Sequence, residues 1–128
     1  MARADQRAHQ IPLAKRARAD LALLKREGEF AISTTAGKKA ISVRTLAGWA
    51  HDVVGDRIEG FQLKRIRSGV ETLLAANGVS REVRGHLQSH GLTGVQARHY
   101  DGHDYMPEKR QAIEILVREV CQSARAGA

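Results

Sequence analysis

Apolar positions recur at helical spacing in several separate stretches of the chain, and polar breaks divide them. Ala17, Leu21 and Leu24 fall on one face of a helix predicted over Ala14–Glu27, with Gly28 as its stop. Leu46, Trp49, Ala50 and Val53 mark the inward face of a second helix over Val43–Val54, with Ser42 as N-cap. Ile66, Val70, Leu73 and Leu74 do the same for a third over Lys64–Ala76, which Asn77-Gly78 ends. Ser80 caps a fourth that runs to about Ser89. Val95–Tyr100 reads as a short helix after the loop Gly91–Gly94. Pro107 at the first helical position opens a last helix to about Ser123, with Ala112, Ile113, Leu116, Val117 and Val120 inward. The segment from Gln10 to Leu13 reads as a short strand or extended lead-in, since Pro12 suits an edge, and Phe30-Ala31-Ile32 as a second short strand. Ser33 to Lys39 is a loop, as is the stretch bracketed by Gly55 and Gly60. The pattern predicts a mainly α fold with one or two short strands near the N-terminus.

Length limits the chain of 128 residues to one domain. Within it we distinguish a basic part over residues 1–60, a motif-bearing region over 61–106, a closing helix over 107–123 and a frayed tail over 124–128. There is no internal repeat. The longest dense apolar piece, Leu21-Ala22-Leu23-Leu24, falls far short of a membrane span, and the first residues carry no apolar segment of the signal-peptide kind. The single cysteine, Cys121, excludes an internal disulfide and suits a reducing cytoplasm.

Charge sharpens the picture. The net charge is +7, and all of it sits in residues 1–67, where 14 Lys/Arg face 7 Asp/Glu; from 68 onward the two are equal. A basic half suits a polyanion, nucleic acid above all, or equally a solubilising surface. Aromatic content of 4% argues against a platform for stacking single strands.

The candidate chemistry lies in Lys64-Arg65-Ile66-Arg67, Gln88-Ser89-His90 and His99-Tyr100. Arginine holds phosphate oxygens in a fork, histidine or lysine moves a proton, and tyrosine forms a covalent phosphoryl intermediate. Taken singly, each has an ordinary structural reading: a surface arginine, a solvated helix start, a half-buried tyrosine. Tyr105 is the rival nucleophile, and just ahead of Pro107 it reads as a core anchor. The pairs His86/His90 and His99/His103 have helical spacing but lack an H-E-x-x-H pattern, so no metal site is expected. Gly37-Lys38-Lys39 lacks the P-loop pattern, and Lys38, Lys39 and Arg44 fit contacts to a DNA backbone better.

Joint order gives these pieces a specificity they lack alone. Lys64-x-x-Arg67, the apolar helix Glu71-Thr-Leu-Leu-Ala-Ala-Asn-Gly-Val79, Val83-x-x-x-Leu87-x-x-His90, Tyr100 and then Asp101-Gly-His-Asp-Tyr-Met-Pro-Glu-Lys-Arg110 resemble the C-terminal part of the catalytic domain of tyrosine recombinases, the phage integrase family. The likeness is strong over residues 61–122. It extends more weakly upstream, where Arg7-Ala-His-Gln-Ile-Pro-Leu13 is similar to the segment that follows the family's β-hairpin.

The resemblance implies the C-terminal portion of an α+β catalytic domain and a set of roles. Tyr100 would be the nucleophile on the scissile phosphate. Arg67 would hold a non-bridging oxygen, His90 would donate a second hydrogen bond, and Lys64 would stand where many members have histidine. Arg65, Lys38, Lys39 and Arg44 would contact duplex DNA. No cofactor or metal is implied, because the phosphotyrosyl bond keeps the energy of the phosphodiester. The closing helix would dock on a neighbouring protomer. The family's first arginine, in a Gly-x-Arg-x-x-Glu segment, and its hairpin lysine have no counterpart here; Arg3-Ala4-Asp5 stands where the lysine would fall. The expectation is therefore a catalytic fragment with little strand exchange alone, since one lost phosphate donor costs on the order of 10²–10³ in rate. The alternative is a non-catalytic DNA-binding remnant or regulator.

Overall fold

The computed structural model describes residues 9–89 and 103–127. Among them it is mainly helical, with five α-helices: α1 Lys15–Ala22, α2 Val43–Val54, α3 Lys64–Ala76, α4 Arg81–Gln88 and α5 Met106–Ala126. One 3₁₀ turn, Gly55–Arg57, follows α2. No described helix is long and apolar enough to cross a membrane. The predicted helix Val95–Tyr100 lies outside the described residues.

The chain divides into two compact units, and the boundary falls within α3. One is Lys15–Val70; the other is Glu71–Ala128 with Met1–Ala14. Among the described residues the buried core side chains of the helices belong to the second: Leu74 at 0% exposure, Leu87 and Ala112. They come from α3, α4 and α5, and α4 packs on α5. Local chemistry fixes the corner between α3 and α4. Gly78, at φ 78°, takes the left-handed conformation that ends α3 without Cβ strain. Its N–H donates to Ala75 O and the Val79 N–H to Leu74 O, the Schellman arrangement. Ser80 Oγ then accepts from the Val83 N–H and starts α4.

In this unit the Gln10–Leu13 strand is not formed. Pro12 is buried and has no N–H for a ladder. Gln10 O is taken by the Nζ of Lys109, a lysine only 6% exposed on α5 (2.7 Å). His9 Nε2 donates to the backbone oxygen of His86 (3.0 Å). Side chains, in place of a partner strand, hold the extended segment. The last helix also outruns its predicted end: Ser123–Ala126 remains helical, and the Gly127 N–H bonds to Ser123 O.

The unit Lys15–Val70 is built differently. α2 has its predicted bounds and its Ser42 cap. Its carboxyl end is closed by Arg57, which donates to Val53 O (2.6 Å) and Val54 O (3.3 Å). The inward face expected for α2 is nonetheless exposed: Trp49 is 45% and Val53 72% accessible. α1 stops at Ala22, well short of Glu27, with the Leu23 and Leu24 N–H groups tightening onto Asp20 O and Leu21 O. It buries no side chain, and so short a helix gains most of its stability from packing.

Phe30–Ile32 is not a strand either. The loop from Gly28 to Ile41 is crossed by two isolated backbone bonds, Phe30 N–H to Gly37 O and Ile41 N–H to Ile32 O (each 3.1 Å). Between them Ser33 Oγ and Thr35 Oγ1 engage the Thr35 and Lys39 N–H groups. Gly28 and Gly37 touch so closely that a Cβ on Gly28 would lie 2.7 Å from the Gly37 carbonyl carbon. Self-bonded turns of this kind use up the groups a β ladder needs.

Candidate nucleic-acid interface

The six cations singled out from the sequence, Lys38, Lys39, Arg44, Lys64, Arg65 and Arg67, all fall in the unit Lys15–Val70, and all are exposed. That unit carries twelve Lys/Arg against six Asp/Glu, a net +6. Lys38, Lys39, Arg44, Lys64 and Arg65 form no ion pair among the described residues.

Lys64, Arg65 and Arg67 occupy the first turn of α3, which holds no acidic residue. The turn is tight: the Arg65 N–H donates to Gln62 O (2.9 Å) and the Ile66 N–H to Leu63 O (3.1 Å). Lys64 and Arg67 are three residues apart, hence on one face, while Arg65 points elsewhere. Amide dipoles at a helix start add to the attraction for an anion. Arg44 sits in the first turn of α2, and Lys38 and Lys39 close the preceding loop, their N–H groups bonded to Thr35. Two helix starts and one loop thus present exposed cations, a chemistry suited to holding phosphates.

His90 and Tyr100, expected as a phosphate hydrogen-bond donor and as the nucleophile, lie outside the described residues. The elements on either side of them are well defined. α4 ends on Ser89, which adopts a left-handed conformation (φ 54°, ψ 45°) with its N–H on Gly85 O. Tyr105, also left-handed (φ 58°), begins α5. Its ring stacks on His86 with centroids 3.8 Å apart and an interplanar angle of 15°. Its hydroxyl donates to Glu82 Oε1, and His103 meets its edge at 4.8 Å. His103 Nε2 lies 2.9 Å from both carboxylate oxygens of Glu108. The Glu108 backbone N–H, and after it His103, hold that carboxyl below the usual range. Tyr105 is thus the anchor its place ahead of Pro107 suggests. No group of three or more metal-type ligands occurs among the described residues.

Sequence reasoning missed Glu71. Its Oε1 accepts from Arg84 Nε (2.6 Å) and its Oε2 from Gln88 Nε2 (2.9 Å), while Arg84 also donates to Val79 O. The four-residue spacing of Arg84 and Gln88 was visible in the sequence; which carboxylate would face them was not. A groove of about 220 Å³ beside the α3–α4 turn, lined by Asn77, Val79, Val83, Glu108 and Ala112 among others, contains none of the proposed site residues.

No family model, curated protein or solved structure matches this chain.

Proposed function

We propose that the chain is a DNA-binding catalytic part of a tyrosine recombinase, acting in the cytoplasm on duplex DNA. The observation that carries this reading is the order and spacing of Lys64, Arg67, His90 and Tyr100. The exposed Lys64/Arg67 face of α3, within a unit of net +6, supports it. In this scheme the Tyr100 oxygen attacks the scissile phosphorus and forms a 3′-phosphotyrosine. The 5′-oxygen leaves and takes up a proton. Arg67 and His90 bond the non-bridging oxygens as their charge grows, and Lys64 donates to phosphate or leaving group. Attack by another 5′-hydroxyl reverses the step on a new strand, so bond energy is conserved and no cofactor is required. Arg65, Lys38, Lys39 and Arg44 grip the backbone, and the helix Met106–Ala126 docks on a neighbouring protomer.

The second reading is a non-catalytic DNA-binding remnant or regulator. It is favoured by the exposed cations of the basic unit Lys15–Val70, which bind a duplex without any covalent step.

One experiment separates the two. Duplexes bound by the chain are selected from a random pool, nicked, and incubated with the chain and a polypeptide bearing a Gly-x-Arg-x-x-Glu segment. A denaturation-resistant adduct lost in Tyr100→Phe but kept in Tyr105→Phe supports the recombinase. Salt-dependent binding with no adduct leaves the regulator, and the absence of duplex binding defeats both. Each lost phosphate contact, as in Lys38→Ala or Lys64→Ala, lowers the log–log salt slope by about 0.9.

A further inference from the structure

Val43, Leu46, Ala50 and Val53 recur at the spacing of a helix seam along α2, and Trp49 flanks them. A stripe of this kind ordinarily seals a helix against its neighbours. Here it is open: Val43 is 80% and Leu46 38% exposed, alongside Trp49 and Val53. The helix itself is well made, with Ser42 capping its start and Arg57 holding the carbonyls of its last turn. One ring contact to α2 comes from Phe61, whose ring stands edge-on to that of His51 (centroids 5.3 Å apart, interplanar angle 76°). His51 lies roughly 160° round the helix from Val53, so this contact covers the side away from the stripe. Arg44 falls on that far side too. A continuous exposed apolar face with a tryptophan in it is the usual mark of a docking surface.

Shape and charge narrow the partner. The stripe follows one side of a helix at three- and four-residue steps, which suits a second helix laid along it. The unit Lys15–Val70 that bears it has a net charge of +6. A second copy would bring the same +6 against it, whereas an acidic partner is drawn in. Duplex DNA is attracted by the same charge but has no apolar surface to cover valine and leucine. A helix that lies in an anionic bilayer surface carries many cations on its polar side; α2 carries Arg44 alone, offset by Asp52. We propose that α2 is a docking surface for an amphipathic helix of an acidic partner protein, seated on Val43, Leu46, Trp49 and Val53. The proposal stands independently of the recombinase reading.

The test uses the full chain and a synthetic helical peptide of about three heptads, with leucine at both seam positions and glutamate at the flanks. Trp49 is the sole tryptophan of the sequence, so its emission reports the contact. The expected result is a saturable blue shift. Affinity should fall on the order of tenfold or more for the Val43→Gln/Val53→Gln chain, and as much for a peptide with lysine flanks. The melting temperature of that variant should match the wild type, because both side chains are exposed. Absence of a shift overturns the proposal, as does equal affinity for the glutamate and lysine peptides. That second comparison needs only the wild-type chain, so it decides the matter even if the variant folds poorly. A dimer in sedimentation that the double variant abolishes overturns it in favour of a second copy. A larger blue shift on phosphatidylserine vesicles than on the acidic peptide overturns it in favour of a lipid surface.

Discussion

Tyr105 shows how much one side chain secures. Its backbone is left-handed, which costs a non-glycine residue on the order of 1 kcal/mol. The stack on His86 and the bond to Glu82 offset that cost. Tyr105→Phe keeps the stack and loses the bond, so unfolding free energy falls by about 1 kcal/mol, as measured by urea titration. Glu108 carries a pH signature. Its carboxyl titrates below the ordinary value, so its contribution is fully present above the usual glutamate range and is lost as pH falls through the lowered one. Melting temperature followed from neutral pH down through about pH 4 should therefore drop less steeply in Glu108→Gln than in the wild type. Equal slopes would mean that the His103 and backbone bonds to Glu108 do not persist in solution.

Among elements, caps and breaks were legible and packing partners were not. Ser42, Ser80 and Asn77-Gly78 marked the limits of α2, α3 and α4 because those signals act within a few residues. Gln10–Leu13 took the lead-in reading and not the strand, and Phe30–Ile32 formed no strand, because an extended stretch becomes a strand only with a neighbour. Here Lys109, remote in sequence, takes Gln10 O, and turn bonds with Gly37 and Ile41 take Phe30 N–H and Ile32 O. The apolar face of α2 was read correctly as a face, but periodicity does not say whether anything covers it. For the site, residue types and their order were visible, whereas the Glu71 clamp depends on how α4 meets α3. Ser80→Ala removes the acceptor for the Val83 N–H. It should cost about 1 kcal/mol and raise amide exchange first in the opening turn of α4.

For the whole molecule, the uneven distribution of burial matters most. Leu74, fully enclosed, carries the packing of the Glu71–Ala128 unit. Leu74→Ala should lower stability by about 2–5 kcal/mol and expose that unit cooperatively to protease. The unit Lys15–Val70 buries no large apolar side chain among its described residues, and Trp49 and Val53 stand open. Its amides should exchange faster than those of α4 and α5, with Leu74→Ala changing them less. Uniform protection across Lys15–Val70 and Glu71–Ala128 would refute that division of stability.

The bond from Lys109 to Gln10 joins residues 99 apart, whereas Arg84 and Glu71 are separated by 13. Closing a short loop costs less entropy than closing a long one, so the α3–α4 corner should form in the folding nucleus and residues 9–13 should dock after the barrier is crossed. In a stopped-flow chevron, Lys109→Met should leave the refolding limb in place and accelerate unfolding about fivefold. That outcome would make the buried lysine a late-closing latch, setting how long the native state lasts more than how quickly it is reached.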